Sequence, residues 1–139
     1  MDFYALIQSI KAIIQSESKF SDVVVDDRYR NKDMLYPMNK VMITVGLEDV
    51  NIKTYIDTAE DGTESERRMI SASVGFDIFL PKTSEPDLTL TIFTNLMNFL
   101  FVGFPICKFK SMQCEKVIYD SQCGAYRLSF AATTEEVTY

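Results

Sequence analysis

The chain has 139 residues, of which 47% are hydrophobic, and its formal net charge is −6 at pH 7. This length is typical of one domain, and this hydrophobic share excludes wholesale disorder. The negative balance argues against a nucleic-acid binder, because contacts with phosphates need a basic surface. We expect one folded domain over 1–133 and a polar tail over 134–139.

The sequence contains no histidine. This absence removes Ser–His and Cys–His nucleophile pairs and every zinc site that needs an imidazole. The three cysteines, Cys107, Cys114 and Cys123, have no zinc-binding spacing, so we expect reduced thiols. The start, Met1-Asp2, lacks the basic region of a secretory signal. We predict no enzyme, cofactor or metal site, although a thiol of strongly depressed pKa in a cleft would favour an enzyme.

The first part of the chain predicts a helix, a short strand and a charged loop. Apolar residues at three- and four-residue spacing predict an amphipathic helix over Asp2–Ser16. A valine run predicts a strand within Asp22–Asp26, and the stretch 26–39 predicts an irregular loop. Acids and bases share that loop, which favours solvated charge pairing over acid–base catalysis. The acids are Asp26, Asp27 and Asp33, and the bases are Arg28, Arg30 and Lys32.

Three strands follow before the next helix. Alternating apolar residues predict strands over Val41–Leu47 and Met69–Leu80, and a weaker pattern predicts one over Asn51–Asp57. The even-numbered side of Met69–Leu80 is apolar and should pack on helices. Its other side should face solvent or a lumen, and carries Ser71, Ser73, Gly75 and Asp77.

The segment 58–68 between the last two of these strands is acidic. Asp61-Gly62 signals a turn, but the segment is too long for a tight hairpin and predicts a protruding hairpin end or a flexible loop. Such a charge run is most often a solvated loop; the functional alternative is a contact with a partner or with a ring lumen. A calcium site is a weak alternative, because the EF-hand spacing is absent. The acids concerned are Glu60, Asp61, Glu64 and Glu66.

A second helix is predicted over Pro86–Phe101, around which the rest of the chain is organised. Pro86 suits the first helical position, with Ser84 able to cap just before it, and Gly103 and Pro105 end the helix. Leu88, Ile92, Phe93, Leu96, Phe99 and Leu100 form its apolar face. Its opposite side is a neutral stripe, whereas solvated helix faces usually carry Lys and Glu, so the stripe is a candidate subunit interface. A half-exposed helix that tolerates polar residues is the simpler alternative. The stripe consists of Thr91, Thr94, Asn95 and Asn98.

The uncharged stretch Leu88–Cys107 is long enough to span a bilayer. Its threonines and asparagines and the breakers Gly103 and Pro105 favour a buried helix that covers a sheet.

The last part of the chain predicts a hairpin. Ile106–Tyr119 is a long strand whose apolar parity switches, which suggests a bulge, and Ala125–Thr133 alternates regularly. Without the short strand of the valine run, the element order is α-β-β-β-α-β-β. It predicts an α+β fold in which one antiparallel sheet of about five strands carries both helices on one face.

This order of elements resembles the tail terminator family of tailed bacteriophages and phage-like particles. The matching parts are the helix Asp2–Ser16, the strands of Val41–Leu80 with their protruding hairpin, the helix Pro86–Phe101 and the hairpin Ile106–Thr133. The resemblance implies a hexameric ring that caps the tail tube and contacts the tube protein and neck or head-completion proteins. It implies location in the virion tail, and in the host cytoplasm during assembly, with no sequence-specific nucleic-acid or membrane partner. An acidic lumen would let DNA pass by like-charge repulsion.

Two other classes of function stay open at this point. A small α+β binding or regulatory module would act through its sheet face, and an apolar pocket between helix and sheet would favour it. An enzyme without histidine would need carboxylates, lysine, tyrosine or a thiol.

Overall fold

The computed structural model describes residues 2–28, 40–82, 87–121 and 124–138. Its helices are α1 (Phe3–Ser16) and α2 (Asp87–Phe101), and a 3-10 turn covers Ser18–Phe20. Among the described residues one sheet has seven strands. These are β1 (Val24–Asp27), β2 (Met42–Thr58), β3 (Glu64–Pro81), β4 (Phe109–Cys114), β5 (Ile118–Asp120), β6 (Ala125–Thr134) and β7 (Val137–Thr138). The predicted α+β class is confirmed.

The sheet order is β1-β2-β3-β6-β4, with β5 beside β6 and β7 beside β3. All pairs are antiparallel except β1–β2, which is parallel, so the sheet is mixed rather than purely antiparallel. A valine run indicates a strand but contains no information about its direction. The predicted polar tail also contributes a short strand, since Ile70 pairs with Val137.

β2 is one continuous strand where the sequence predicted two. Its register against β3 shifts between Leu47 and Asp49, which is a β-bulge. The extra residue reverses the parity of the apolar side chains, so Val45 and Val50 both face the helices. Sequence alternation is interrupted at a bulge, and this explains the apparent gap between two strands.

The predicted long strand Ile106–Tyr119 is instead the pair β4 and β5, both alongside β6. The register of β4 against β6 shifts between Phe109 and Ser111. The parity switch in the sequence therefore did mark a bulge.

Both helices pack on one face of the sheet, as predicted. α1 contacts β1 and β2, and α2 contacts β3 and β4. The side chains between them form one hydrophobic cluster, in which the rings of Phe76 and Phe130 stack with centroids 4.9 Å apart. Burial of this apolar surface is the main stabilising contribution to the fold.

The helix ends follow local chemistry. At the start of α1, the Asp2 carboxylate accepts a hydrogen bond from the Ala5 N–H at 3.1 Å, which caps the helix. After α2, Gly103 has φ +73°, a conformation that glycine adopts without strain. The predicted start of α2 at Ser84 and Pro86 lies outside the described residues. Neither α1 nor α2 is long and apolar enough to cross a membrane.

Candidate interaction surfaces

The outer half of the β2–β3 hairpin projects from the body of the protein. We call Asn51–Arg68 the ribbon; every residue in it is exposed. Its strands stay in register from Asn51↔Ser71 to Thr58↔Glu64. The hairpin alternative for segment 58–68 is therefore confirmed, and paired strands replace most of the expected loop.

The turn of the ribbon is held by short-range hydrogen bonds. The Ala59 N–H donates to the Thr63 carbonyl and the Gly62 N–H to the Ala59 carbonyl, both at 2.9 Å. Gly62 has φ +86°, which explains why glycine follows Asp61. The Asp61 carboxylate accepts from the Thr63 N–H at 2.9 Å. Hydrogen bonds from the side chain and backbone of Thr63 lower the pKa of Asp61.

The four predicted acidic residues all lie at this tip and are exposed. Glu60 and Asp61 belong to the turn, whereas Glu64 and Glu66 begin β3. The glutamates form no ion pair within the described ranges, while Asp57 lies 3.8 Å from the Arg67 guanidinium. The tip is thus a local concentration of negative charge in solvent.

The ribbon also exposes apolar side chains. Ile52 is 57% exposed, Tyr55 40% and Ile56 66%. A free two-stranded ribbon is at best marginally stable in water, because it buries little apolar surface. These side chains therefore form a surface that gains stability when another molecule covers it.

The neutral stripe of α2 is a second exposed surface. Thr91, Thr94 and Asn98 are exposed and Asn95 is half-buried. The Thr91 hydroxyl donates to the Asp87 carbonyl at 3.3 Å. Exposed apolar residues adjoin the stripe: Leu90 is 60% exposed, Phe101 36% and Val102 76%. The stripe and these residues together form an uncharged outer side of α2.

The apolar face of α2 differs from the predicted one at its start. Leu88 is 38% exposed, whereas Thr89 is 3% exposed and takes the buried position. The buried residues Thr89, Ile92, Leu96 and Leu100 recur at three and four positions, so the face is rotated slightly from the predicted one.

A polar cluster lies on the sheet face opposite the helices. The Asp77 carboxylate accepts hydrogen bonds from Arg28 Nε at 3.0 Å, Thr44 Oγ1 at 3.2 Å and Ser129 Oγ at 2.5 Å. Arg28 also lies 3.5 Å from Glu48. Asp77 is 5% exposed and Ser71 6%, and Gly75 is also buried, so the prediction that this side of β3 faces solvent is wrong at these three positions.

Because Gly75 has no side chain, the Arg28 side chain can lie directly over it on the surface of the sheet. A Cβ atom at this position would lie 1.6 Å from an Arg28 guanidinium nitrogen. One local signal indicates this arrangement, namely a charged Asp77 two residues after a glycine in an apolar strand. Its partner Arg28 is far away in the chain.

Two of the predicted loop carboxylates, Asp26 and Asp27, are described, and both lie in strand β1 and not in a loop. Asp27 belongs to β1 and accepts from Lys11 at 3.0 Å and Gln8 at 3.2 Å, so it joins β1 to α1. The Arg28 guanidinium pairs with Asp77 instead. Asp33, Arg30 and Lys32 lie outside the described residues.

The described cysteines are free thiols with raised pKa values. Burial raises the pKa of Cys107, and burial together with the Glu115 charge raises that of Cys114. Neither is the activated thiolate that an enzyme would need. Cys123 lies outside the described residues.

Few concave sites are present in the described part of the chain. The cleft beside the polar cluster has a volume of about 120 Å³, is polar, and is lined by Arg28, Glu48, Gln113, Glu115, Ser129, Phe130 and Ala131. Within the described ranges no three His, Cys, Asp or Glu residues come together as a metal site.

Comparison with protein-family models found no match to this sequence. A search of curated proteins likewise found no match.

Proposed function

We propose that this chain is a non-enzymatic structural subunit of a phage tail or phage-like particle, namely a tail terminator. It would form a ring that caps the tail tube and joins it to the head or neck. The order of elements that resembles this family supports the proposal. The single observation that carries it is the ribbon, whose residues are all exposed in one copy of the chain.

The ribbon is difficult to explain in a protein that works alone. It extends two strands well beyond the helix-covered part of the sheet and places Ile52 and Ile56 in solvent. Exposed apolar side chains on a paired ribbon are typical of a surface that another protein covers. A ring subunit needs such lateral surfaces on each side.

The outer side of α2 supports the same proposal. It carries no charge from Thr91 to Phe101, although much of it is exposed. Surfaces that bind protein are depleted of charge at their centre, which fits a second contact here. The acidic tip could line a lumen, where negative charge repels passing DNA.

The alternative, a small-molecule or regulatory module, has less support. Such a module would need an apolar pocket between the helices and the sheet. Most described side chains at that position form one packed hydrophobic cluster. A groove of about 430 Å³ lies between α1 and β2 and is lined by residues such as Tyr4, Ile7 and Leu47, but it is open to solvent and does not enclose a ligand.

Light scattering combined with size exclusion, followed by negative-stain microscopy with assembled tail tubes, tests the proposal. We expect the chain to form rings, either alone or at the ends of tubes, because some ring proteins assemble only on their template. A monomer at every concentration that also fails to bind tube ends would overturn it.

A further inference from the structure

We infer that copies of this chain join edge to edge, through the free edge of β2 in one copy and β4 in the next. The β2 edge runs over 48–58, and the β4 edge over Phe109–Cys114. This inference rests on the self-association in the proposed function. It adds which two strand edges meet, and which charges favour that contact over the other possible ones.

The two edges lie on opposite sides of one sheet. β1 pairs with β2 from Met42 to Val45, and Leu47 also has a partner, so among the described residues the edge of β2 is open from Glu48 onward. On the far side, β4 is the last strand of the order β1-β2-β3-β6-β4. A contact between different edges is head-to-tail, the type of contact that closes rings.

Strand direction fits this contact without any reversal. β2, β3, β6 and β4 are successive antiparallel neighbours, so β2 and β4 run in opposite directions. If the sheet continues from one copy into the next with the helices on the same face, β2 and the next β4 are antiparallel. This is the more stable strand pairing.

On the outer part of β2, the backbone N–H and C=O groups of the even-numbered residues point away from β3, towards the open edge of the sheet. The Ala59 N–H donates to the Thr63 carbonyl, and bonded rungs alternate along an antiparallel pair. Odd-numbered residues such as Tyr55 and Asp57 therefore bond to β3. The backbone groups of Val50, Ile52 and Ile56 point to the open edge. Their side chains share the face of Ala72, which is the helix side of the sheet.

The β4 edge has matching parity. The Glu115 N–H donates to the Ser129 carbonyl at 2.9 Å, so the alternation leaves the backbone groups of Met112 and Cys114 pointing outward. These two residues pair with Ala132 and Phe130, on the helix side of the sheet. On both edges, therefore, the residues whose backbone N–H and C=O groups point outward are those whose side chains lie on the helix side of the sheet. The two edges can pair without a further bulge.

Charge selects unlike edges over like ones. At the β2 edge the exposed acids Glu48, Asp49 and Asp57 outnumber the base Lys53, so this edge is net negative. Within and beside β4 the exposed bases Lys108, Lys110 and Lys116 outnumber the acid Glu115, so that edge is net positive. Two β2 edges would place acid against acid, and two β4 edges lysine against lysine. Lysines on an edge strand block pairing with an identical edge. Opposite charges favour the head-to-tail contact and disfavour both symmetric ones.

The same contact would bring the helices of neighbouring copies together. α1 packs on β1 and β2, whereas α2 packs on β3 and β4. Joining β2 to the next β4 therefore places α1 of one copy beside α2 of the next. The neutral stripe with Thr94 and Asn98 then lies close to protein rather than to water.

Two charge-reversed variants test this contact. The acidic-edge variant is Asp49→Lys with Asp57→Lys, and the basic-edge variant is Lys108→Glu with Lys110→Glu. Each alone places like charges at every contact, so we expect the concentration for half-association to rise at least about tenfold. In an equimolar mixture every contact between one variant and the other pairs opposite charges, so we expect association to return in light scattering.

Matched controls separate this effect from net charge and folding. Glu17→Lys with Asp22→Lys, and Lys19→Glu with Lys82→Glu, change the net charge equally away from both edges. Circular dichroism and thermal unfolding of each variant confirm folding. If the native chain assembles, an unchanged basic-edge variant or a mixture that stays dissociated would overturn the inference but leave the ring proposal standing. A native chain that never assembles, with or without tubes, would overturn both.

Discussion

The two halves of the β2–β3 hairpin are made by the same strands but stabilised differently. In the inner half, Val45 and Phe76 pair and are fully buried beneath the helices. In the outer half, the paired Ile56 and Glu66 are both exposed. Burial stabilises the first, whereas the second has only cross-strand contacts. The inner half therefore serves the fold of one chain, and we propose that the outer half serves assembly.

The largest effect should come from the inner half. Phe76→Ala removes a ring that is fully buried and stacked on Phe130, and should lower the free energy of unfolding by about 3–5 kcal/mol. Ile56→Ala, in the ribbon, should change it by less than about 0.5 kcal/mol in the monomer. Urea unfolding at low protein concentration measures both. Equal losses would contradict the division of the hairpin.

The next effect concerns the uncovered side of the same inner half. Asp77→Ala removes the nearer and more buried of the two carboxylates that contact Arg28, Asp77 and Glu48, and should destabilise the fold by about 3 kcal/mol. The double variant Asp77→Leu with Arg28→Met removes both charges and should recover part of that loss. If the double variant is as unstable as the sum of its single changes, the two charges do not act as a pair.

Gly75→Ala should have a smaller effect, of about 1–3 kcal/mol, because the Arg28 side chain must move away from the new methyl group. Arg28→Ala vacates that space, so Gly75→Ala should cost less in an Arg28→Ala background. Thermal unfolding of the four proteins in this cycle gives the coupling. Additive effects would show that Arg28 does not occupy the place over Gly75.

In the ribbon, substitutions should affect association instead of folding. Ile52→Ser with Ile56→Ser removes apolar surface that is exposed in a single chain, so the unfolding midpoint of the monomer should barely change. Association should weaken, because those side chains become buried only between copies. Sedimentation velocity measures it, and Thr58→Ser is a control within the same strand. A pair of serines that leaves assembly intact would remove the ribbon from the interface.

The smallest effect concerns pH at the tip of the ribbon. Hydrogen bonds from Thr63 lower the pKa of Asp61, so their stabilising contribution is present above the ordinary carboxyl pKa. It is lost as the pH falls through the lowered value. Thr63→Val should raise the pKa of Asp61 towards its ordinary range. Carboxyl-carbon NMR titration measures this, and an unchanged midpoint would contradict the hydrogen bond from the side chain.

Sequence periodicity predicted the elements whose side chains alternate or recur regularly. The isoleucines of α1 and the alternation of β3 and β6 identify those elements, because burial on one face imposes the pattern. The continuity of β2 was not predictable from alternation, since the bulge at Glu48 reverses the parity there. The parallel direction of β1 and the strand β7 depend on long-range pairing, which short windows of sequence do not contain.

The candidate surfaces were predictable in part for similar reasons. Charge density identifies Glu60 and Glu64, and neutrality identifies Thr94 and Asn98, because both are local properties of the sequence. The contact between Arg28 and Asp77 joins residues far apart in the chain, so no local pattern indicates it. The open edges of β2 and β4 depend on strand order, which only the structure supplies.

Residue-resolved amide hydrogen exchange along β2, in the dissociated and the assembled protein, tests most directly whether the ribbon is an assembly surface. We predict that the outward amides of Ile52 and Ile56 exchange rapidly in single chains and are protected after assembly. The inward amides of Tyr55 and Asp57 should be protected more than their neighbours in both states. If the outward amides exchange equally fast in the assembled protein, the ribbon is not an assembly surface.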